Sequence, residues 1–148
     1  RVGAAVRLCE CGEIEARVHT GTANFAAYLS VSDALDFHES LGVANKAARL
    51  HYLRDRWVEP LREHRAIQIL TPSDPRLVSA ITSFRLHGRT SVAENIAIAR
   101  ELLERHRIFT VHRVGMAGGA CVRVTPGVFS SEDDIDRLLV ALRTMAKV

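Results

Sequence analysis

An arginine in a short apolar strand is the first feature of this 148-residue chain that could do chemistry. Arg123 lies in the segment Cys-Val-Arg-Val-Thr-Pro, between apolar neighbours. A guanidinium in a half-buried strand needs a partner, and its planar fork binds a carboxylate through two hydrogen bonds, a geometry that lysine cannot copy. The partner is either a carboxylate of a ligand or an acid of the chain itself, such as Glu94 or Glu101. The local sequence favours neither alternative.

The second candidate is a polar loop, Gly21-Thr22-Ala23-Asn24, that leads directly into a helical pattern. Backbone N–H groups at the beginning of a helix, together with the hydroxyl of Thr22, suit a phosphate group. Thr22 and Asn24 are also good N-cap residues, and capping alone is the favoured interpretation when only this loop is considered.

Motifs for several other chemistries are absent from the sequence. It contains no glycine-rich nucleotide loop, no Gly-x-Ser-x-Gly elbow and no His-Glu-x-x-His helix. Cys9, Cys11 and His19 lie close together, but their spacing is wrong for a zinc site and no second ligand pair follows. We therefore predict no metal site and assign no catalytic residue within the chain.

The elements that position these residues can be read from the spacing of apolar side chains. We expect a helix from Phe25 to Leu41 with a break near Ser32, and Gly42 as its end. A second helix is predicted from Val43 to His64, with Pro60 kinking it or ending its regular part.

Beyond that helix, strands and helices share the rest of the chain. Serine-led capping boxes predict helices after Ser91 and after Ser131. The predicted strands cover Ala66–Leu70, Val78–Leu86, Ile108–Val114 and Cys121–Val124, and the last two form a hairpin around Gly115–Gly119. This order predicts an α+β fold, a small and mostly antiparallel sheet packed by helices.

Composition indicates a soluble globular domain, because 47% of the residues are apolar and 25% are charged. No uninterrupted apolar run reaches the roughly 18 residues of a membrane span.

The 20 basic residues are interspersed with 17 acidic ones, and aromatics make up 5%, so no nucleic-acid partner is expected. The longest basic cluster, which lies in an acid-containing helix and is interpreted as a solvated face, consists of Arg49, Arg54, Arg56, Arg62 and Arg65. Three cysteines without a visible leader suggest reduced thiols and a cytoplasmic location.

Taken in order, the motifs of the chain resemble those of the class V aminotransferases, with the greatest similarity to the isopenicillin-N-epimerase-like branch. The resemblance covers about Arg17 to the end of the chain. It is carried by Arg17-Val-His-Thr-Gly21-Thr22-Ala-Asn24, Ala34-Leu-Asp-Phe37-His-Glu-Ser-Leu41-Gly42, Thr71-Pro72, Ser79-Ala-Ile-Thr-Ser83-Phe84, Val122-Arg123-Val124-Thr125-Pro126 and Ser131-Glu-Asp-Asp134-Ile135-Asp136-Arg137-Leu138.

This resemblance implies the C-terminal part of a fold type I pyridoxal-phosphate enzyme, with its active site at the interface of a homodimer. Residues 1–42 would be a remnant of the large cofactor domain with a linker, and 43–148 the small α+β domain. Gly21 and Thr22 would contact the cofactor phosphate of the neighbouring subunit. Arg123 would bind the α-carboxylate of an amino-acid substrate.

The chain also departs from the family. The family's Schiff-base lysine belongs to the large domain, whereas Lys46 and Lys147 have neither its context nor its position. We therefore expect the chain not to be catalytic alone and not to bind pyridoxal phosphate covalently. Gly127-Val-Phe-Ser-Ser131 replaces the family's His/Tyr-Asn-Thr, which leaves open the substrate and the choice among transamination, racemisation and elimination. The alternative is a non-catalytic, stand-alone α+β interaction domain derived from such an enzyme.

Overall fold

A computed structural model describes residues 21, 24–115 and 117–147. The chain divides into two compact units, Arg1–Ser40 and Leu41–Val148. The helices are α1 (Phe25–Leu41), α2 (Val43–Val58), α3 (Val92–His106) and α4 (Glu132–Met145); the strands are β1 (Ile67–Ile69), β2 (Thr82–Leu86), β3 (Val111–Arg113) and β4 (Cys121–Val124).

Helix α1 carries large apolar side chains and buries none of its residues. Asn24 caps it, because its Oδ1 accepts a hydrogen bond from the Ala27 N–H at 3.2 Å. The expected break near Ser32 is wrong. The Ser32 hydroxyl donates to the Leu29 carbonyl at 3.4 Å, so it bonds within the helix and caps no second segment. Gly42, with φ 77°, separates α1 from α2.

The regular part of helix α2 ends at Val58, just before Pro60, so of the two effects expected of this proline the second is observed and the α-helix does not continue to His64. A 3₁₀ turn, Glu59–Leu61, follows it with Pro60 near its beginning. Proline lacks the N–H that would continue the α-helical ladder, which explains the change at this point. Leu53, Trp57 and Leu61 are fully buried, so one apolar face continues through both segments.

The described strands form a four-stranded antiparallel sheet in the order β1-β2-β4-β3. β3 and β4 make the expected hairpin. The α+β fold with a small antiparallel sheet is confirmed.

β1 begins one residue later than predicted, and β2 and β3 begin several residues later. The segment before β2 turns at Ser79, whose Oγ accepts from the Ile81 N–H at 3.2 Å, and the strand starts at Thr82. The segment before β3 forms the C-terminal cap of α3. Arg107 adopts a left-handed conformation there, and the Ile108 N–H donates to the Leu102 carbonyl at 2.9 Å.

Both predicted capping boxes are present at the helices that follow them. The Ser91 Oγ accepts from the Glu94 N–H at 3.3 Å, and the Ser131 Oγ accepts from the Asp134 N–H at 3.1 Å. In each box the side-chain carboxylate of the acid accepts a hydrogen bond from the backbone N–H of the serine. These bonds fix where α3 and α4 begin.

One face of the sheet holds the core. Side chains of β1, β2 and β4 on that face pack with α2, α3 and α4, and Trp57 meets Phe84 edge to face at 6.0 Å between ring centroids. The buried cluster comprises Leu53, Trp57, Val58, Leu61, Ile67, Phe84, Ile98, Leu102, Val122, Val124, Ile135, Leu138, Ala141, Leu142 and Met145.

Arginines of the basic cluster in α2 contribute to this packing through ion pairs. Arg56 donates to both carboxylate oxygens of Asp136 in α4 at 2.7 Å, and Arg49 reaches Glu132 at 3.5 Å. Arg54 pairs with Asp55 and donates to the Ser79 carbonyl. The cluster therefore holds elements together and does not form one free basic patch.

Candidate functional site

The candidate site is built on the sheet face opposite the core. Cross-strand partners share a face, so Arg123 of β4 lies on the same face as Ser83 of β2 and Val111 of β3. Its neighbours along the strand, Val122 and Val124, point to the core. Because side chains alternate along β4, Arg123 lies on the sheet face opposite the one against which the helices of the buried cluster pack.

The Arg123 side chain is half-buried, and its Nε is covered without a hydrogen-bond partner in the described part of the chain. No ion pair reaches its guanidinium from any described acid. The two acids considered as internal partners bond elsewhere: Glu94 to Ser91 and Arg89, and Glu101 to Arg105. Hydrogen bonds from Ser91 also hold the pKa of Glu94 below its usual value. Among the described residues, the internal-acid alternative is therefore not realised.

A second arginine on this face was missed by the sequence reasoning. Arg85 of β2 is only 4% exposed, and its guanidinium donates to the carbonyls of Gly118 and Gly119. Its position in the alternating strand could have revealed it, because Arg85 lies on the same sheet face as Ser83 and on the face opposite Phe84. A charged residue at such a position could have been identified as needing a partner.

The turn that Arg85 contacts connects β3 to β4 and includes two glycines with positive φ, Gly115 and Gly119. Gly119 has φ 99°, and a Cβ there would lie 2.6 Å from the Thr90 carbonyl oxygen. The same oxygen accepts the Ala120 N–H at 2.7 Å. Only glycine fits at position 119, because the turn packs closely against Thr90 in the segment before α3.

The proposed phosphate loop is described in part. Gly21 is exposed, its φ of 109° favours glycine, and open space surrounds the position of a Cβ. Thr22 lies outside the described residues. Asn24 is occupied as the helix cap, because its side chain accepts the Ala27 N–H.

Neither lysine offers the setting of a covalent cofactor attachment. Lys46 lies in the first turn of α2, and Lys147 follows the end of α4 and is exposed. An attachment lysine belongs in an enclosed site where its amine is desolvated. Among the described residues, Arg123 fits contact with a substrate carboxylate, and neither Lys46 nor Lys147 fits the imine bond.

Two grooves of the described chain have no lining contribution from Arg123. The wider one, of about 690 Å³, is bordered by His87, Arg89 and Glu101, and a narrower one, of about 210 Å³, by Thr110, Thr125 and Asp134. The residues described contain no group of three or more metal-binding side chains, and Cys9, Cys11 and His19 lie outside them. No helix among them has the length and apolar character to cross a bilayer.

Comparison with known proteins places this geometry in a family. The family model for class-V aminotransferases matches residues 4–138. Isopenicillin N epimerase of Amycolatopsis lactamdurans is 31% identical over 127 residues, which are 86% of this chain and 31% of the relative. The chain thus spans about a third of the length of the curated relatives it matches.

Solved structures agree on the fold. The apo cysteine desulfurase of Thermococcus onnurineus NA1 superposes with a TM-score of 0.70 at 20% identity, over 89% of this chain and 34% of that one. A C-DES variant with glycine covalently linked to its PLP cofactor superposes with a TM-score of 0.60 at 24% identity, over 86% and 31% of the two chains. The predicted resemblance is confirmed: this chain belongs to the class-V aminotransferase family and has the fold of the pyridoxal-phosphate enzymes in it.

Proposed function

We propose that this chain is the C-terminal part of a pyridoxal-phosphate enzyme that acts on an amino acid, with residues 43–148 as its small domain. One observation carries the proposal. Arg123 presents a half-buried guanidinium on the sheet face away from the core, and no described acid neutralises it. An arginine kept in this state is suited to an anion that arrives from outside.

The α-carboxylate of an amino acid is the anion that fits this role. It is planar, carries two acceptor oxygens, and matches the guanidinium fork with two parallel hydrogen bonds. Arg85 does not compete for it, because its terminal nitrogens already donate to Gly118 and Gly119. In this proposal Arg123 binds and orients the substrate through its carboxylate. Pyridoxal phosphate supplies the electron sink for bond cleavage at Cα or Cβ.

The loop before α1 supplies the second contact. We propose that the backbone of Gly21 and the hydroxyl of Thr22 bind the cofactor phosphate of a neighbouring subunit in a cytoplasmic homodimer. The exposure of Gly21 and its position before a helix of 17 residues support this role. Replacing Thr22 by alanine in the intact protein should weaken pyridoxal-phosphate binding. Retention of the wild-type cofactor affinity would contradict the assignment.

The test of the carboxylate site uses Arg123→Ala in the intact protein. Truncating one partner of a buried charged pair costs about 2–5 kcal/mol, so the KM for the amino acid should rise about 30-fold or more. The cofactor absorbance should be retained. Arg113→Ala is the matched control, because Arg113 is exposed on the edge strand β3 and, within the described part of the chain, its guanidinium donates only to the His112 carbonyl. Unchanged KM and kcat/KM in Arg123→Ala would overturn the proposal.

A separate experiment addresses the absence of the attachment lysine. The purified 148-residue chain is mixed with pyridoxal phosphate and reduced with borohydride, and its lysines are examined by mass spectrometry. We expect no specific adduct at a single lysine. A stoichiometric adduct at Lys46 would contradict the proposal that covalent attachment belongs to another part of the intact protein.

A further inference from the structure

Arg85 is a buried charge without an acid partner among the described residues. Arginine stays protonated in proteins, so its burial at 4% exposure carries a desolvation cost that its surroundings must offset. The offset comes from backbone carbonyls: Nη1 donates to Gly118 and Nη2 donates to Gly119. Its Nε is buried and has no partner in the described structure.

The carbonyls that Arg85 binds lie immediately before the strand that carries Arg123. Gly118 and Gly119 end the connection from β3, and β4 begins at Cys121. Arg123 is therefore four residues beyond the second carbonyl. The same stretch is held from its other side, where Thr90 accepts the Ala120 N–H and leaves no room for a side chain at Gly119.

The two arginines also share a face of the sheet. Arg123 is the cross-strand partner of Ser83, and Arg85 lies two residues further along β2. In an antiparallel pair this diagonal relation is still within reach of long side chains. Any shift of the turn against Arg85 moves the beginning of β4, and with it the base of the Arg123 side chain.

We infer that Arg85 is a positioning residue for Arg123. By binding two successive carbonyls of the turn, it fixes the strand position from which Arg123 meets the substrate carboxylate; this inference rests on the proposed function. The planar guanidinium is essential to it, because one terminal nitrogen is needed for each carbonyl. A lysine would keep the charge but lose the two-point contact.

The test measures carboxylate preference and not affinity alone. In the intact, cofactor-loaded protein, the dissociation constants of L-alanine and L-alaninamide are obtained from the change in cofactor absorbance. The ratio of the L-alaninamide constant to the L-alanine constant reports how much the site gains from the α-carboxylate. We expect Arg123→Ala to reduce the ratio about 30-fold or more. We expect Arg85→Lys to reduce it about tenfold, because the guanidinium that reads the carboxylate is misplaced.

The matched control is Arg54→Lys. Arg54 is also a partly buried arginine that donates to a backbone carbonyl, that of Ser79, but it lies on α2 and its carbonyl does not precede β4. A general loss of stability would weaken both ligands alike and leave the ratio unchanged. Arg54→Lys should therefore keep the wild-type ratio even where it lowers the melting temperature.

A second measurement does not depend on ligand binding. Amide hydrogen exchange of residues 117–124 in the intact protein should accelerate in Arg85→Lys and remain unchanged in Arg54→Lys.

A second variant displaces the same turn without changing Arg85. Gly119→Ala acts from the Thr90 side of the turn, and it should lower the carboxylate preference as well.

The outcomes separate the two claims. If Arg123→Ala retains the wild-type ratio, the proposed carboxylate role fails and the positioning role fails with it. If Arg123→Ala lowers the ratio while Arg85→Lys and Gly119→Ala do not, the proposed function stands and the positioning role is overturned. Unchanged hydrogen exchange in Arg85→Lys would overturn it as well.

Discussion

Arg123 on β4 and Ser83 on β2 are cross-strand partners on the sheet face opposite the core. The partner is small, and no described acid forms an ion pair with the guanidinium next to it. On the same two strands, Phe84 and Val122 are partners that point into the buried cluster. The alternation of one strand thus anchors the fold on one side and presents a binding group on the other.

The first prediction concerns the core that holds this strand pair. Phe84 is fully buried against Trp57, whereas Phe109 is 77% exposed. Phe84→Ala should lower the free energy of unfolding by about 3–5 kcal/mol, because it leaves a cavity beneath the sheet. Urea denaturation measures the effect, and Phe109→Ala is the control with little expected change. Equal effects of the two substitutions would contradict the described packing.

The second prediction concerns the start of α3. Ser91 caps the helix through its hydroxyl, and Ser91→Ala should lower the free energy of unfolding by about 1 kcal/mol. Ser79→Ala removes a hydroxyl that serves only a turn, through the Ile81 N–H, and it should cost less. Thermal melts of the two variants provide the comparison. A Ser91→Ala protein as stable as the wild type would disprove the capping role.

The third prediction concerns the turn before β4. Gly119 has positive φ and a carbonyl oxygen 2.6 Å from where a Cβ would be, so Gly119→Ala should destabilise the protein by more than about 1 kcal/mol. At Gly118 an added Cβ would lie 3.8 Å from the Arg85 guanidinium, which is an ordinary contact. Gly118→Ala should therefore be tolerated. The reverse order of stabilities in denaturant titrations would show that the turn is not held as described.

The fourth prediction concerns the ion pair between α2 and α4. Hydrogen bonds from the Arg56 guanidinium lower the pKa of Asp136 in the folded protein. A depressed pKa contributes stability above the unfolded value of about 3.9, and this contribution is lost as the pH falls through the folded value. Asp136→Asn should thus be less stable than the wild type at neutral pH, and the difference should vanish in acid.

The check on this ion pair is a pH series of unfolding free energies for both proteins. Asp133→Asn, which changes an exposed acid in the same helix, serves as the control and should show a weaker pH dependence. A difference between wild type and Asp136→Asn that persists below the folded pKa would assign its origin to packing and not to charge.

Sequence patterns predicted the helix ends well where side chains close their own hydrogen bonds. The boxes at Ser91 and Ser131 each contain both partners within four residues, so local sequence is sufficient to locate them. The early starts predicted for β2 and β3 failed because their first residues are used elsewhere. Ser79 forms a turn, and the Ile108 N–H closes the end of α3.

The candidate site was predictable to a lesser degree. Arg123 was identifiable because a charged residue interrupts a short apolar strand. Its lack of an acid partner among the described residues depends on where Glu94 and Glu101 lie in space, which spacing along the chain does not determine. Arg85 was missed for the same reason, because its partners are carbonyls 33 and 34 residues away.

The central claim is that Arg123 binds the α-carboxylate of an amino acid, and a crystal structure of the intact, cofactor-loaded protein with a bound amino acid tests it most directly. We predict that two guanidinium nitrogens of Arg123 lie within about 3 Å of the two carboxylate oxygens. A carboxylate held by another residue, with Arg123 turned away from the ligand, would contradict the account.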